Sequence, residues 1–193
     1  MTRTFISLEM NDALQSHLAD IIRQVALALP RVRCVDASSI HLTLAFLGEL
    51  TDEQVAEAIQ ATEMAAQQVR PFSYRLSHLG TFGSPRYPRV IWMGIGEASG
   101  SLTSVHRILN QQLLQRGFEV ETRPFSPHLT LARLRSPLSP QEQQQLQSLL
   151  ADKPHSLAPT DSYAVHHLDV MKSERLRTGA RYTCLQSCLM GKS

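Results

Sequence analysis

Apolar residues recur along this chain in two rhythms. Between residues 13 and 29, Ala13, Leu14, Leu18, Ile21, Ile22, Val25, Ala28 and Leu29 fall at helical spacing, with Asn11 placed as a cap and Pro30 as a stop. A second helical stretch runs from about Ser101 to Arg116 on Leu102, Val105, Ile108, Leu109 and Leu113. Thr51 with Gln54, and Ser139 with Glu142, have the spacing of capping boxes. The first box opens a helix carrying Val55, Ile59 and Met64. The second, with Pro140 at the first helical position, opens a Gln-rich helix to about Leu150. Short runs of strand type lie between these helices: near Phe5, at 41–47, 72–79, from Ile91, at 128–134, 163–171 and 181–189.

The same order is written twice. HLTLAFL at 41–47 returns as HLTLARL at 128–134, differing only where Phe46 faces Arg133. SYRLSHLG from Ser73 matches SYAVHHLD from Ser162, and FISLEM from Phe5 corresponds to IWMGIG from Ile91. The three offsets, 87, 89 and 86, barely drift, which argues for duplication of a β-α-β-α-β unit. The expected fold is an α+β, two-lobed arrangement with a pseudo-two-fold axis: one domain over 1–193, halves of about 1–88 and 89–193, and a Gly/Pro-rich hinge near Gly80 to Pro88.

Composition fits such a unit: 193 residues, 42% apolar and 19% charged, is ordinary for one well-filled core. No run approaches the roughly 20 apolar residues of a membrane span, so a cytoplasmic protein without membrane attachment is expected. Cys34, Cys184 and Cys188 lack a second ligand pair and read as free thiols. Net charge is only +2, which does not mark a strong duplex binder, yet Lys153, Lys172 and Lys192 stand against 16 arginines. Arginine's planar fork suits phosphate, although a general arginine bias gives the same count.

Alternation within HLTL puts His and Thr on one face of a strand and both leucines on the other. If the pseudo-axis runs through a cleft, His41 and Thr43 face it from one side and His128 and Thr130 from the other. Two histidines suit an acid and base pair, and two threonine hydroxyls can hold a tetrahedral group between them. A phosphodiester fits. With no carboxylate cluster and no H-E-x-x-H, metal-assisted hydrolysis is poorly supported, and no cofactor is implied.

At these residues the chain resembles the 2H phosphoesterase superfamily. HLTLAFLGEL, RVIWMGI, FSPHLTLAR and the MKSE and GARY segments are similar to its LigT/ThpR branch, the RNA 2′,3′-cyclic phosphodiesterases, also called RNA 2′,5′-ligases. That resemblance implies antiparallel sheets flanking a central cleft, helices outside, and metal-free opening of a 2′,3′-cyclic phosphate to a 2′-phosphate, in some members with 2′,5′ joining of RNA ends. It implies His41 as general acid on O3′, His128 as general base on water, and Thr43 and Thr130 on the non-bridging oxygens. Pseudo-symmetry leaves the two histidines equivalent from sequence. The resemblance also places Arg133 on the ligand, whereas strict alternation puts it on the face opposite His128 and Thr130; a strand end, a bulge or a long side chain reaching round the edge would reconcile the two. Expected partners are RNA with 2′,3′-cyclic phosphate ends, tRNA fragments or nucleotides, acted on by a monomer. The alternatives are another cyclic or 2′,5′-linked nucleotide as substrate, or a module that only binds RNA ends.

Other signals point to structure. GIGEASG, Gly94 to Gly100, lies between strand and helix but lacks the G-x-G-x-x-G spacing, and Glu97 would repel phosphate. His78, His166 and His167 read as remnants of duplication. Arginines of RVR (Arg31, Arg33), RYPR (Arg86, Arg89) and ERLRTGAR (Arg175, Arg177, Arg181) could rim a cleft, with Phe46, Tyr87 or Tyr182 as stacking surfaces.

Overall fold

The computed structural model describes residues 1–151, 161–176 and 179–191; Arg177 lies outside them. Strand β1 (Thr2–Leu8) leads into helix α1 (Asp12–Ala28), whose Asn11 cap accepts from the Leu14 N–H at 2.8 Å. Leu14, Leu18, Ile21 and Val25 form its buried stripe. A two-residue strand β2 (Arg33–Cys34) and one 3₁₀ turn (Ala37–Ser39) precede β3 (Thr43–Leu50). Then come α2 (Asp52–Gln67), β4 (Phe72–Ser84), β5 (Tyr87–Gly96), α3 (Ser101–Gln115), β6 (His128–Arg133), α4 (Pro140–Ala151), β7 (Tyr163–Val165), β8 (His167–Leu176) and β9 (Gly179–Leu189). Among the described residues, no helix is long and apolar enough to cross a membrane.

Two antiparallel sheets result, in the orders β3-β1-β8-β9 and β2-β6-β5-β4-β7. Each half keeps its first two strands together and lends its third to the other: β4 pairs with β5, and β8 pairs with β1. The expected duplication is present, with that exchange added. Helices α2 and α3 back the first sheet, and α1 and α4 the second. The hinge expected at Gly80 to Pro88 is instead the end of a long β4–β5 hairpin, in which Gly83 takes φ 110° opposite Pro88. Proline lacks an N–H and glycine alone accepts that φ comfortably, so these residues bend a ladder without breaking it. The run expected as one strand from 163 to 171 is two, since β7 joins β4 and β8 joins β1.

In α2 the buried residues are Ala58, Ala61, Thr62, Ala65 and Ala66, while Met64 is exposed. Small side chains let α2 approach α3 closely, so bulk was a poor guide to which face is covered. The box Thr51/Gln54 is formed in both directions, as is Ser139/Glu142 on α4. The GIGEASG turn is filled by its own carboxylate: Glu97 accepts from the N–H groups of Ser99 and Leu102 and thereby caps α3.

Candidate active site

The leucines of both HLTL strands are fully in the core, Leu42, Leu44, Leu129 and Leu131 all being buried, which leaves the His-x-Thr face open. In the β1–β3 ladder Ser7 stands opposite Thr43 and Ile6 opposite Ala45, so Leu44 is an unpaired bulge. In the β5–β6 ladder Trp92 stands opposite Thr130 and Ile91 opposite Ala132, so Leu131 is the bulge. The irregularity is duplicated along with the motif, and the pairing sets the β1/β5 offset at 85 rather than the expected 86.

That bulge decides where Arg133 points. An extra residue resets the side-chain alternation beyond it. Leu131 and Ala132 are both buried, and Arg133, opposite Val90, emerges exposed on the side of His128 and Thr130. Strict alternation is therefore corrected, and of the reconciliations open from the sequence the bulge is the one present. Phe46 is re-aimed in the same way, next to Phe5 at a ring separation of 5.9 Å.

Each imidazole is tied by Nδ1 to the carbonyl two residues earlier: His41 to Ser39 at 3.0 Å, His128 to Ser126 at 2.7 Å. A carbonyl only accepts, so Nδ1 carries the proton and Nε2 is left for proton exchange. His41 packs between Phe5 and Tyr182, with ring centroids 4.5 and 4.7 Å away. Burial lowers its pKa, outweighing the Ser39 carbonyl bond, and the Arg133 guanidinium lowers it further. Arg133 thus reaches across from the second sheet to the field of His41. His128 lies edge-on to Phe82 at 4.8 Å, with Trp92 at 6.3 Å. Trp92 itself lies over Gly80, where a Cβ would collide with its indole ring.

Sequence reasoning singled out Tyr182 and Phe46 but missed Phe5, Phe82, Trp92 and the carbonyls of Ser39 and Ser126. The shared fragment S-x-H-x-T was the available signal for the last two. His78 and His167 do hold equivalent strand positions, but their partners differ: His167 is 2.6 Å from Glu9, whereas His78 bonds Ser77 and sits 5.4 Å from Trp92. In the row of Thr43 and Ser7, Asp169 accepts from Ser187 at 2.6 Å, and burial raises its pKa. Of the loop arginines, Arg31 pairs with Glu142, Arg33 stands opposite Arg133, Arg86 is in the β4–β5 turn, Arg89 is on β5, and Arg175 and Arg181 are on the β8–β9 hairpin.

A family profile described as "LigT like Phosphoesterase" matches residues 8–92 and 95–182. The RNA 2′,3′-cyclic phosphodiesterase of Geobacillus stearothermophilus is 32% identical over 76% of this chain, although the match spans only 46% of that relative's length. The protein of the same description from Methanothermobacter thermautotrophicus is 25% identical over 95% of this chain and 96% of its own. Among solved structures, E. coli LigT complexed with 3′-AMP superposes with a TM-score of 0.70 at 26% identity, covering 99% of both chains. A Thermus thermophilus protein, 23% identical, superposes at 0.80 over 99% of this chain and 100% of its own, a likeness of fold. With nearly the whole chain matched and both His-x-Thr strands inside the match, the protein belongs to the LigT-like phosphoesterase family.

Proposed function

We propose that this protein opens RNA 2′,3′-cyclic phosphate ends to 2′-phosphates. The carrying observation is the pair of equivalent His-x-Thr strands with both Nδ1 atoms committed to carbonyls. In this mechanism His128 Nε2 takes a proton from water as its oxygen attacks phosphorus, and His41 Nε2 gives a proton to O3′ as the P–O3′ bond breaks. Thr43 and Thr130 donate to the non-bridging oxygens, and Arg133 balances their charge. A 5′ hydroxyl in place of water would join two ends through a 2′,5′ bond. These groups supply both proton transfers and the anion contacts, so the chemistry needs no metal.

The lowered pKa of His41 is compatible with an acid role because the cyclic phosphate monoanion, once bound beside it, favours the charged imidazole. The names of the relatives support the substrate class, and the E. coli relative's complexes with 3′-AMP, ATP and phosphate support a cleft that takes nucleotide phosphates. A site assembled wholly from one chain supports a monomer as the working unit, and three free thiols suit the cytoplasm, with tRNA fragments among the candidate substrates.

The test is ³¹P NMR of a short RNA bearing a 2′,3′-cyclic phosphate, incubated with the protein in excess EDTA. The 2′-phosphate resonance is expected. A 3′-phosphate would overturn the assignment of O3′ as leaving group, and an unchanged cyclic signal would overturn the substrate.

A further inference from the structure

Four arginines crowd one edge of the second sheet. Arg31, Arg33, Arg133 and Arg135 line a concavity of about 170 Å³ in which, among the described residues, Glu142 is the one carboxylate. Glu142 is already committed: both of its oxygens accept from Arg31, and it closes the α4 cap with Ser139. Among the described residues, Arg33, Arg133 and Arg135 have no ion-pair partner. Arg33 and Arg133 are also directly opposed in the β2–β6 ladder. Like charges face to face across a strand pair are unfavourable, and an anion between them reverses the sign of that interaction.

The duplication supplies an internal control. Residues 87 away from the four arginines are Phe118, Val120, Phe46 and Gly48, none of them basic, with Glu119 and Glu121 close by. A general preference for arginine would not place all four on one edge of a duplicated fold. The basic edge was added to one side only, the side that carries Arg133.

We propose that Arg33 and Arg135 form, beside Arg133, a second anion site that takes the next phosphate of the RNA chain, the one on the 5′ oxygen of the nucleotide bearing the cyclic phosphate. This rests on the cyclic phosphodiesterase function above. Thr130 lies three residues before Arg133 on the same face, roughly 10 Å along the strand, and β2 is about 4.8 Å further to the side. Long guanidinium side chains across that span follow a backbone leaving the cleft over the β2–β6 edge. The site therefore separates RNA ends from 5′-hydroxyl nucleoside cyclic phosphates.

The experiment compares adenosine 2′,3′-cyclic phosphate with and without a 5′-phosphate, for the wild type, Arg33→Gln and Arg135→Gln. The wild type is expected to favour the 5′-phosphorylated substrate in kcat/KM by about tenfold or more, the scale of one charge-assisted hydrogen bond. Each variant should lose most of that preference while turning over the 5′-hydroxyl compound within about twofold of wild type. No preference in the wild type, or equal losses on both substrates in the variants, overturns the second site. Should neither compound be hydrolysed, the cyclic phosphodiesterase function fails, and calorimetric titration of adenosine 2′-phosphate against adenosine 2′,5′-bisphosphate decides the anion site separately. Tighter bisphosphate binding that Arg33→Gln or Arg135→Gln abolishes supports it. Equal binding of the two overturns it.

Discussion

His41 and His128 each bond the carbonyl two residues earlier and differ in nearly everything else. His41 is held in the first sheet against Phe5 and Tyr182, and burial there disfavours its charge. His128 stands at the more open end of the second sheet with Phe82 and Trp92 beside it. Below them the rows differ as well: Thr43 continues into Ser7, Asp169 and Ser187, whereas Thr130 continues into Trp92 lying flat over Gly80. Duplication supplied two equivalent His-x-Thr strands, and divergence set a polar row beside the first, an aromatic row beside the second and a basic edge on one side only. A symmetric pair has no preferred direction for proton flow, and in the proposed mechanism it is this divergence that would set one.

Alanine at either histidine is the sharpest way to break the pair. His128→Ala should lower kcat/KM on a cyclic phosphate end by roughly 10² or more with a much smaller change in binding, as measured by steady-state kinetics and titration of product. His41→Ala should cost as much activity and, because it empties a packed slot between two aromatic rings, about 1 to 2 kcal/mol of stability besides. Thermal unfolding separates the two: only His41→Ala should lower Tm appreciably.

The two rows can be broken unequally. Gly80→Ala forces the Trp92 indole off the strand and should cost about 1 to 3 kcal/mol in denaturant unfolding. Asp169→Ala, at the matching position of the other sheet, removes one hydrogen bond from Ser187 and a carboxylate that burial already disfavours ionising, so under about 1 kcal/mol is expected.

The pH profile sharpens which histidine is the acid. Arg133 lowers the pKa of His41, so Arg133→Gln raises it. If His41 must be protonated in the free enzyme, its titration sets the alkaline limb of kcat/KM, and that limb moves to higher pH in the variant while the maximum rate falls. Movement of the acid limb instead would make His41 the base and reverse the two roles.

Much of this was written locally. The caps at Asn11, Thr51 and Ser139, the buried stripe of α1 and the equivalence of the two HLTL strands follow from spacing that neighbouring residues enforce by themselves. The exchange of third strands, the β4–β5 hairpin and the bulges at Leu44 and Leu131 do not, because each is fixed by which distant strand lies alongside. Arg133 shows the cost of that gap. Its face is set by one unpaired leucine two residues earlier, and period-two counting puts it on the wrong side of the sheet.

The smallest difference between the halves lies in the capping boxes of their second helices, α2 and α4. Thr51 and Gln54 exchange hydrogen bonds at the start of α2 in an exposed setting, so Thr51→Ala should cost about 1 kcal/mol. Ser139 holds a carboxylate that also anchors Arg31, and those bonds, Arg31 first, hold Glu142 at about 2. A folded-state pKa depressed below the ordinary carboxylate value contributes stability that is complete above the ordinary value, declines below it and is lost as pH falls through the depressed one. Glu142→Gln should therefore be less stable than wild type at pH 7, with the gap closing as pH falls from about 4.5 towards about 2, whereas the deficit of Thr51→Ala should shrink only by the share that its hydroxyl gives the Glu53 carboxylate and otherwise persist across the same range. Parallel chemical unfolding curves for the two variants from pH 7 downward check this, and a gap for Glu142→Gln that stays constant would show that packing, not charge, holds the α4 start against Arg31.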